Sequence, residues 1–144
     1  MLFRSDINPD ATTLANTNAG RFGLAGRCSF IAGDWTNPLS GRFDLIMSNP
    51  PYISRPDLQK LMPEVACHEP TRALDGGPDG CDAYRAILPK LWHHIEPDGA
   101  AILELGIGQG HYVTSLAREA GWDVSLRLDL ANIPRAITLT RPNH

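Results

Sequence analysis

The four residues from Asn49 to Tyr52, with the sequence NPPY, are the part of this chain best suited to chemistry. An amide nitrogen, or an amino group conjugated to a ring, is a poor nucleophile because its lone pair is delocalised. A protein can assist such a nitrogen by accepting hydrogen bonds from its N–H groups and holding it in line with an electrophile. Asn49 offers a side-chain carbonyl, Pro50 offers a backbone carbonyl, and Tyr52 offers a flat ring that can cover an amide or a base. These residues therefore predict a site that orients a nitrogen nucleophile.

Two consecutive prolines, Pro50 and Pro51, make this segment stiff. Proline fixes the backbone angle φ and has no N–H group, so no backbone donor competes with the carbonyls at these positions. The acceptors are thus preorganised, and little conformational entropy is lost when a substrate binds. A rigid exit from a strand without any function is the alternative that the residues alone leave open.

Polar residues also end two other predicted strands. Asp6 and Asp34 each stand at the end of a strand, as Asn49 does, and Trp35 follows Asp34. Ligands of α/β proteins bind at the carboxyl ends of the strands, so we expect these side chains to lie together at one edge of a sheet. The alternative is that they are ordinary polar residues at strand ends, which many proteins have.

Apolar periodicity and turn residues predict the elements that must position these side chains. In chain order they are a helix over 10–22, strands over 28–32 and 43–47, an irregular segment over 56–78, a helix over 82–95, a strand over 100–105, a helix over 112–120, and strands over 124–130 and 136–140. The strand over 43–47, FDLIM, is continuously apolar and is expected to be buried on both faces. Strands that alternate with helices and end in a hairpin indicate an α/β fold with a mostly parallel sheet and an antiparallel edge.

Composition narrows the class of function. The chain has 144 residues with a formal charge of −3, which gives no electrostatic reason to expect a nucleic-acid partner. No apolar run has the length of about 20 residues that a membrane-spanning helix needs. The three cysteines, Cys28, Cys67 and Cys81, share no CxxC spacing, which predicts reduced thiols and a cytoplasmic protein. Because the histidines and cysteines are scattered, we expect no metal site.

The NPPY segment after a buried strand resembles the motif of amino-methyltransferases, which are S-adenosylmethionine-dependent enzymes with a Rossmann-like fold. The flanking segments SDINPDATTLANTNAGRFGL and IAGDWTNPL resemble the second strand with its helix and the end of the third strand of that fold. The segment PEVACHEPTRALDGGPDGCDAYRAIL is the most specific, and is similar to the protein-(glutamine-N5) methyltransferases that modify peptide chain release factors. LELGIGQG and DLANIPRAITLTR also resemble that group, so the resemblance covers residues 6–141.

The resemblance implies a role for each candidate residue on the cofactor side. S-adenosylmethionine would be the cofactor, with Asp6 bonded to its ribose and with Asp34 and Trp35 beside its adenine. Asn49 would border both the cofactor and the substrate. The partner would be a peptide chain release factor, and no direct contact with nucleic acid or membrane is implied.

The resemblance assigns the chemistry to Asn49, Pro50 and Tyr52, with Pro51 completing the substrate-binding segment. The carbonyls of Asn49 and Pro50 would accept hydrogen bonds from the side-chain amide of a glutamine, and Tyr52 would be the wall against which it packs. For Glu69 and Glu104 we expect structural roles, such as capping or bonding nearby amides.

A glycine-rich turn supports a competing interpretation. Gly106, Gly108 and Gly110 lie between a predicted strand and a predicted helix, and Asp129 follows at the distance of a ribose-binding acid. If that turn bound the cofactor, the motif order would be that of a permuted adenine-N6 nucleic-acid methyltransferase. The family resemblance instead assigns the turn to the fifth strand and its helix. A non-enzymatic remnant is a further alternative.

The resemblance also implies a first strand, a glycine-rich cofactor loop and a helical domain before Asp6, where the sequence has only MLFRS. MLFRS resembles a translated sequencing adaptor, so we expect residues 1–5 not to be native and the gene to be a fragment. Residues 1–144 would then be part of a methyltransferase catalytic domain whose sheet lacks its first strand and falls into two groups of strands. We expect this chain alone to be inactive, and neither to fold stably nor to bind S-adenosylmethionine tightly.

Overall fold

The computed structural model describes residues 1–60 and 70–142. The chain divides into two compact units, Met1–Gly41 and Arg42–His144. Each unit has its own sheet, one of two strands and one of four. This is the division into two groups of strands that the sequence predicts.

The first unit consists of strand β1 (Leu2–Asp6), helix α1 (Pro9–Arg21) and strand β2 (Cys28–Ala32). The two strands are parallel, and Asp6 is the partner of Ala32 at their carboxyl ends. Helix α1 begins here because the Asn8 side chain accepts a hydrogen bond from the Asp10 N–H at 2.9 Å and because proline suits the first helical position. It ends before Gly23, which adopts a φ of +70°.

The second unit begins with the strand that leads into the NPPY segment. Its elements are β3 (Phe43–Ser48), α2 (Arg55–Leu58), α3 (Thr71–Leu74), α4 (Asp82–Leu91), β4 (Ile95–Glu104), α5 (Gly110–Glu119), β5 (Asp123–Leu128) and β6 (Pro134–Thr140). The strand order is β3-β4-β6-β5. β3 and β4 are parallel, whereas β6 is antiparallel to both β4 and β5. The α/β fold with an antiparallel hairpin at the carboxyl end is therefore confirmed.

Helix α4 contributes its apolar side chains to the core of the second unit. The buried side chains of this core include Tyr84, Ile87, Leu88, Leu91, Leu103, Leu105, Val113, Ala117, Ile137 and Leu139. Trp92 and Trp122 stack with their ring centroids 4.6 Å apart, and the guanidinium of Arg141 lies 4.5 Å from the Trp92 ring centroid. These contacts join the residue that follows α4 to the residues that flank β5 and β6.

The predicted helix over 82–95 is wrong at its end. Helix α4 ends at Leu91, and Ile95 is the first residue of β4, where it pairs with Phe43. The Phe43 N–H donates to the His94 carbonyl at 2.8 Å, so pairing with β3 determines the backbone conformation here and overrides the helical periodicity. Residues 97–99, which lie between the predicted helix and the predicted strand over 100–105, belong to β4 and form a bulge, because Phe43 pairs with Ile95 and Leu45 pairs with Ala100.

The prediction that β3 is buried on both faces is also wrong. Leu45 is 52% exposed and Met47 is 71% exposed, and the two side chains lie on the same face of the strand. β3 is the end strand of its sheet, and the described residues of the second unit leave that face open. Among residues 1–60 and 70–142, no helix is long and apolar enough to cross a membrane.

Candidate active site

The NPPY segment follows the carboxyl end of β3, and its first two residues differ in their exposure to solvent. Pro50 is fully buried, whereas Asn49 is exposed. Pro51 and Tyr52 are half-buried. The buried proline fixes the position of the backbone from which the Asn49 side chain projects. The predicted acceptors therefore lie at a strand end on a rigid support, as the sequence predicts.

The backbone after Tyr52 is held by the segment 74–77. The Ile53 N–H donates to the Leu74 carbonyl at 3.1 Å, and the Gly76 N–H donates to the Ile53 carbonyl at 2.9 Å. The Arg55 N–H donates to the Gly77 carbonyl at 2.9 Å. This pairing has the pattern of a short parallel β-bridge. It ties the exit of the NPPY segment to the DGGPDG sequence that follows α3.

Tyr52 is held through its side chain by Glu104, the last residue of β4. The Tyr52 hydroxyl donates to Glu104 Oε1 at 3.0 Å. Burial raises the pKa of Tyr52, and the hydrogen bond and charge of Glu104 raise this pKa further, while Arg135 opposes the shift. The phenol is therefore protonated at neutral pH and acts as the donor. Glu104 therefore bonds a hydroxyl group here, whereas the expected structural role was to cap or bond nearby amides, and its role stays a prediction.

Two further residues that the sequence does not single out complete the support. The Tyr84 hydroxyl, whose pKa is raised by burial, donates to the Glu104 carbonyl at 2.7 Å. Gln109 donates from Nε2 to the Tyr52 carbonyl at 2.9 Å and to the Gly80 carbonyl at 3.0 Å. Its Oε1 accepts from the Gly106 N–H at 3.0 Å. The glycines around Gln109 and Gly80 are the only signal in the sequence for these contacts.

The candidate cofactor residues of the first unit lie at adjacent strand ends. Asp6 ends β1, and its Oδ1 accepts from the Asn8 N–H at 3.0 Å. Asp34 and Trp35 follow β2; Trp35 has a φ of +50°, and its carbonyl accepts from the Ser5 hydroxyl at 3.0 Å. The predicted juxtaposition of Asp6 with Asp34 is therefore present within this unit. Asn49 follows β3, which belongs to the sheet of the second unit, so the prediction that all three side chains lie at one edge of one sheet is wrong for Asn49.

These residues suit the adenosine part of S-adenosylmethionine. Asp6 is half-buried. Among the described residues, the donor that the structure gives for its carboxylate is the Asn8 N–H, which bonds to Oδ1. A carboxylate in this position can accept hydrogen bonds from ribose hydroxyls. Asp34 is exposed and Trp35 is half-buried, so a polar group and a flat indole ring lie beside the same strand end. That pair suits the edge and face of an adenine ring.

Asp129, the ribose-binding acid of the competing interpretation, accepts hydrogen bonds from its own turn. Asp129 Oδ1 accepts from the Ala131 and Ile133 N–H groups at 2.8 and 3.0 Å, and its Oδ2 accepts from Arg135 Nε at 3.1 Å. These bonds, above all the one from the Ile133 N–H, lower the pKa of Asp129. Asp129 follows β5 and the glycine-rich turn follows β4, and these two strands are not neighbours because β6 lies between them. Its contacts are those of a residue that shapes the β5–β6 turn.

The remaining expectations concern a metal site, the cysteines and Glu69. Among residues 1–60 and 70–142, no group of three or more His, Cys, Asp or Glu side chains could hold a metal ion. Glu69 and Cys67 lie outside the described residues. Cys81 is buried, and Cys28 is half-buried.

Curated relatives share sequence with almost the whole chain. A release factor glutamine methyltransferase from Bradyrhizobium diazoefficiens is 44% identical over 136 residues, which are 93% of this chain and 46% of the relative. Proteins with the same name from Cereibacter sphaeroides and Geobacter sulfurreducens are 40% and 46% identical over 96% and 80% of this chain, and over 50% and 40% of their own lengths. The chain thus spans about half the length of the curated relatives it matches. No model of a protein family matches it.

Solved structures share the fold at low sequence identity. A ribosomal protein L11 methylase from Lactobacillus delbrueckii subsp. bulgaricus matches with a TM-score of 0.68 and 17% identity, over 98% of this chain and 57% of its own. A methyltransferase from Pyrococcus furiosus gives a TM-score of 0.70 at 14% identity, over 98% and 62%. A TehB-like S-adenosylmethionine-dependent methyltransferase from Corynebacterium glutamicum gives 0.58 at 14% identity, over 97% and 67%. The resemblance found in the sequence is therefore confirmed: the chain has the α/β fold of S-adenosylmethionine-dependent methyltransferases and is homologous, over nearly its whole length, to about half of a release factor glutamine methyltransferase.

Proposed function

We propose that this chain is part of an enzyme that transfers a methyl group from S-adenosylmethionine to the side-chain amide nitrogen of a glutamine in a peptide chain release factor. The observation that carries the proposal is the rigid NPPY segment, with Asn49 exposed and Tyr52 held at its hydroxyl and its carbonyl. The names of the relatives, which share 40–46% of their aligned residues with this chain, support the substrate class. Release factors act on cytoplasmic ribosomes, so the proposal also assigns the enzyme to the cytoplasm.

The NPPY residues would bind and orient the target amide. The side-chain carbonyl of Asn49 and the backbone carbonyl of Pro50 would accept the two N–H groups of the glutamine amide, and Tyr52 with Pro51 would confine its plane. This orientation removes the rotational freedom of the nitrogen and lets its lone pair face the methyl donor. The N-methylated nitrogen would then lose one proton to Asn49 or to water.

The cofactor would be held mainly by the first unit. S-adenosylmethionine supplies a methyl group on a positively charged sulfur, so the reactive carbon is activated before the enzyme acts. Asp6 would accept hydrogen bonds from the ribose, Asp34 and Trp35 would border the adenine, and Asn49 would lie between cofactor and substrate. The protein's own part is thus to bind, to orient and to exclude water.

A hybrid enzyme tests this function because the chain spans only about half of its relatives. In this hybrid enzyme, residues 6–142 replace the aligned segment of the Bradyrhizobium diazoefficiens relative. We expect it to transfer labelled methyl to one glutamine of a bacterial release factor, as located by peptide mass spectrometry, and to leave duplex DNA unlabelled. A release factor in which that glutamine is replaced by glutamate is the matched control. Label on adenine in DNA, with none on protein, would contradict the proposal and favour the nucleic-acid alternative.

A further inference from the structure

We propose that Gln109 is a positioning residue that fixes the backbone of the NPPY segment, and that Gly80 and Gly106 leave the space it occupies. For its kinetic test, this inference rests on the proposed function. The contacts themselves lie within the second unit and can be tested without any activity.

The Gln109 carboxamide has one orientation that satisfies its partners. Both groups that face Nε2 are carbonyl oxygens, those of Tyr52 at 2.9 Å and Gly80 at 3.0 Å, and carbonyl oxygens can only accept. Oε1 accepts from the Gly106 N–H at 3.0 Å, which can only donate, and from the Tyr84 hydroxyl at 3.3 Å. One side chain thus joins the exit of β3, the segment before α4 and the exit of β4.

Two glycines make this arrangement possible because they lie against it. A Cβ at Gly106 would lie 2.7 Å from Gln109 Oε1 and 2.9 Å from Tyr52 Cδ2. A Cβ at Gly80 would lie 2.4 Å from the Tyr52 carbonyl oxygen and 2.6 Å from Gln109 Nε2. These separations are shorter than non-bonded contacts allow. At Gly80 the nearest atom is a backbone oxygen, so only glycine fits there, whereas a Cβ at Gly106 would require the Gln109 and Tyr52 side chains to move. Gly106, the first glycine of the turn that resembles a cofactor loop, therefore has a different physical reason in the structure.

The consequence for the candidate active site follows from the stiffness of the prolines. Tyr52 is held at its hydroxyl by Glu104 and at its carbonyl by Gln109. Because φ is fixed at Pro50 and Pro51, holding Tyr52 also restricts the Pro50 carbonyl and the backbone of Asn49. A small displacement of these acceptors would misalign the target nitrogen and slow the reaction without weakening cofactor binding.

Two substitutions of the same length separate the two halves of the Gln109 carboxamide. Gln109→Glu keeps an acceptor for the Gly106 N–H but directs a carboxylate oxygen at the Tyr52 and Gly80 carbonyls. Gln109→Met removes all of these hydrogen bonds and introduces no charge. If the donor half positions the NPPY segment, kcat of the hybrid enzyme should fall about 10-fold in Gln109→Met and about 100-fold in Gln109→Glu. KM for S-adenosylmethionine should stay within about twofold. Because a loss of folded protein would lower the apparent kcat and leave KM unchanged, kcat is calculated per folded enzyme, with the folded fraction measured by circular dichroism. Equal or higher kcat in Gln109→Glu than in Gln109→Met would overturn the inference.

Hydrogen exchange tests the same inference independently of catalysis. In the hybrid enzyme, Gln109→Glu should speed exchange of the Ile53 and Gly76 amides, which hold the backbone after Tyr52. The Leu105 amide, which donates to the Arg135 carbonyl at 2.9 Å, is the control and should keep its protection. Unchanged exchange at Ile53 and Gly76 would overturn the inference even if methyl transfer were lost. If instead exchange responds but the parent hybrid methylates nothing, the positioning role stands and the proposed function fails.

Discussion

At the scale of single residues, Tyr52 connects the chemistry to the fold. Its ring is the predicted wall of the substrate site, while its hydroxyl and its carbonyl are both bonded to residues outside the NPPY segment. Asn49 has the complementary character, since it is exposed and its neighbour Pro50 is buried. The segment thus places one exposed amide side chain on a backbone that is restricted by two prolines and by the hydrogen bonds of Tyr52. This arrangement suits an enzyme that gains rate mainly from orientation.

Removing the Tyr52 hydroxyl tests this connection. Tyr52→Phe keeps the ring but leaves Glu104 without its phenol donor, so the free energy of unfolding at neutral pH should fall by about 1 kcal/mol. The folded-state pKa of Tyr52 is raised, so its stabilising contribution is complete below about pH 10, the ordinary tyrosine value, and is lost as pH rises through the folded pKa. Denaturant unfolding between neutral and alkaline pH should therefore show a shallower alkaline decline in Tyr52→Phe than in the parent. Identical pH profiles for the two proteins would contradict this account.

At the scale of elements, two glycine-rich turns converge on the NPPY segment. The DGGPDG sequence pairs with the backbone around Ile53, and the GIGQG turn after β4 places Gln109 against Tyr52. Gly80 and Gly106 need no contact with the cofactor to explain them, because a Cβ at either position would lie against Tyr52 and Gln109. Hydrogen bonds around Tyr52 thus join the carboxyl ends of β3 and β4 to these two turns.

Two glycines with nearly the same backbone angle separate strain from close approach. Gly80 has a φ of +79° and Gly108 has a φ of +81°, but only at Gly80 would a Cβ meet other atoms within 4 Å. Gly108→Ala should therefore lower the free energy of unfolding by about 1 kcal/mol, the cost of a left-handed backbone for a non-glycine residue. Gly80→Ala should cost about 3 kcal/mol or more, because a clash with the Tyr52 carbonyl is added to that strain. Denaturant unfolding of the hybrid enzyme measures both, and equal losses would show that close approach at Gly80 is not needed.

The elements were predictable where local sequence determines them. The bounds of β2 are those predicted for CSFIA, and β5 and β6 form the hairpin predicted from the strands over 124–130 and 136–140. The end of α4 and the exposure of β3 were not predictable, because pairing between strands and the absence of a covering layer are properties of the tertiary structure. The hydrogen bonds of Gln109 join residues 57 and 29 positions apart, and no local periodicity signals such contacts. The position of the NPPY segment directly after a strand was predictable from the apolar run before it, and its role in a site stays a prediction.

At the scale of the whole molecule, the two units differ in how much they bury. Among the described residues of the first unit, Ala19 and Thr36 are the buried side chains, whereas the second unit has a core of large apolar residues. A two-stranded sheet with a single helix is marginal in water, since it buries little apolar area to offset the loss of conformational entropy. The proposed cofactor residues Asp6, Asp34 and Trp35 all lie in that less buried unit.

Hydrogen exchange of the chain by itself should reveal this difference. Backbone amides of β1 and β2 should exchange at rates close to those of an unfolded peptide, while amides of β4 and β6 should be protected by at least about 100-fold more. For the same reason, residues 1–144 alone should show no S-adenosylmethionine binding in the micromolar range by calorimetry. Comparable protection in both units, together with micromolar binding, would contradict this prediction and would make the glycine-rich turn 106–110 a candidate cofactor site again.

The central claim is that Asn49 orients a glutamine amide for methyl transfer. The most direct measurement is the single-turnover rate of methyl transfer from S-adenosylmethionine to a release factor by the hybrid enzyme and its Asn49→Ala variant. Loss of one preorganised polar group at a reacting centre should lower this rate by about 10²- to 10³-fold, while thermal unfolding stays close to that of the parent because Asn49 is exposed. Asn16→Ala, the same change on the exposed surface of α1, should leave the rate unchanged. An Asn49→Ala rate within about twofold of the parent rate would contradict the role of the NPPY segment on which the account depends.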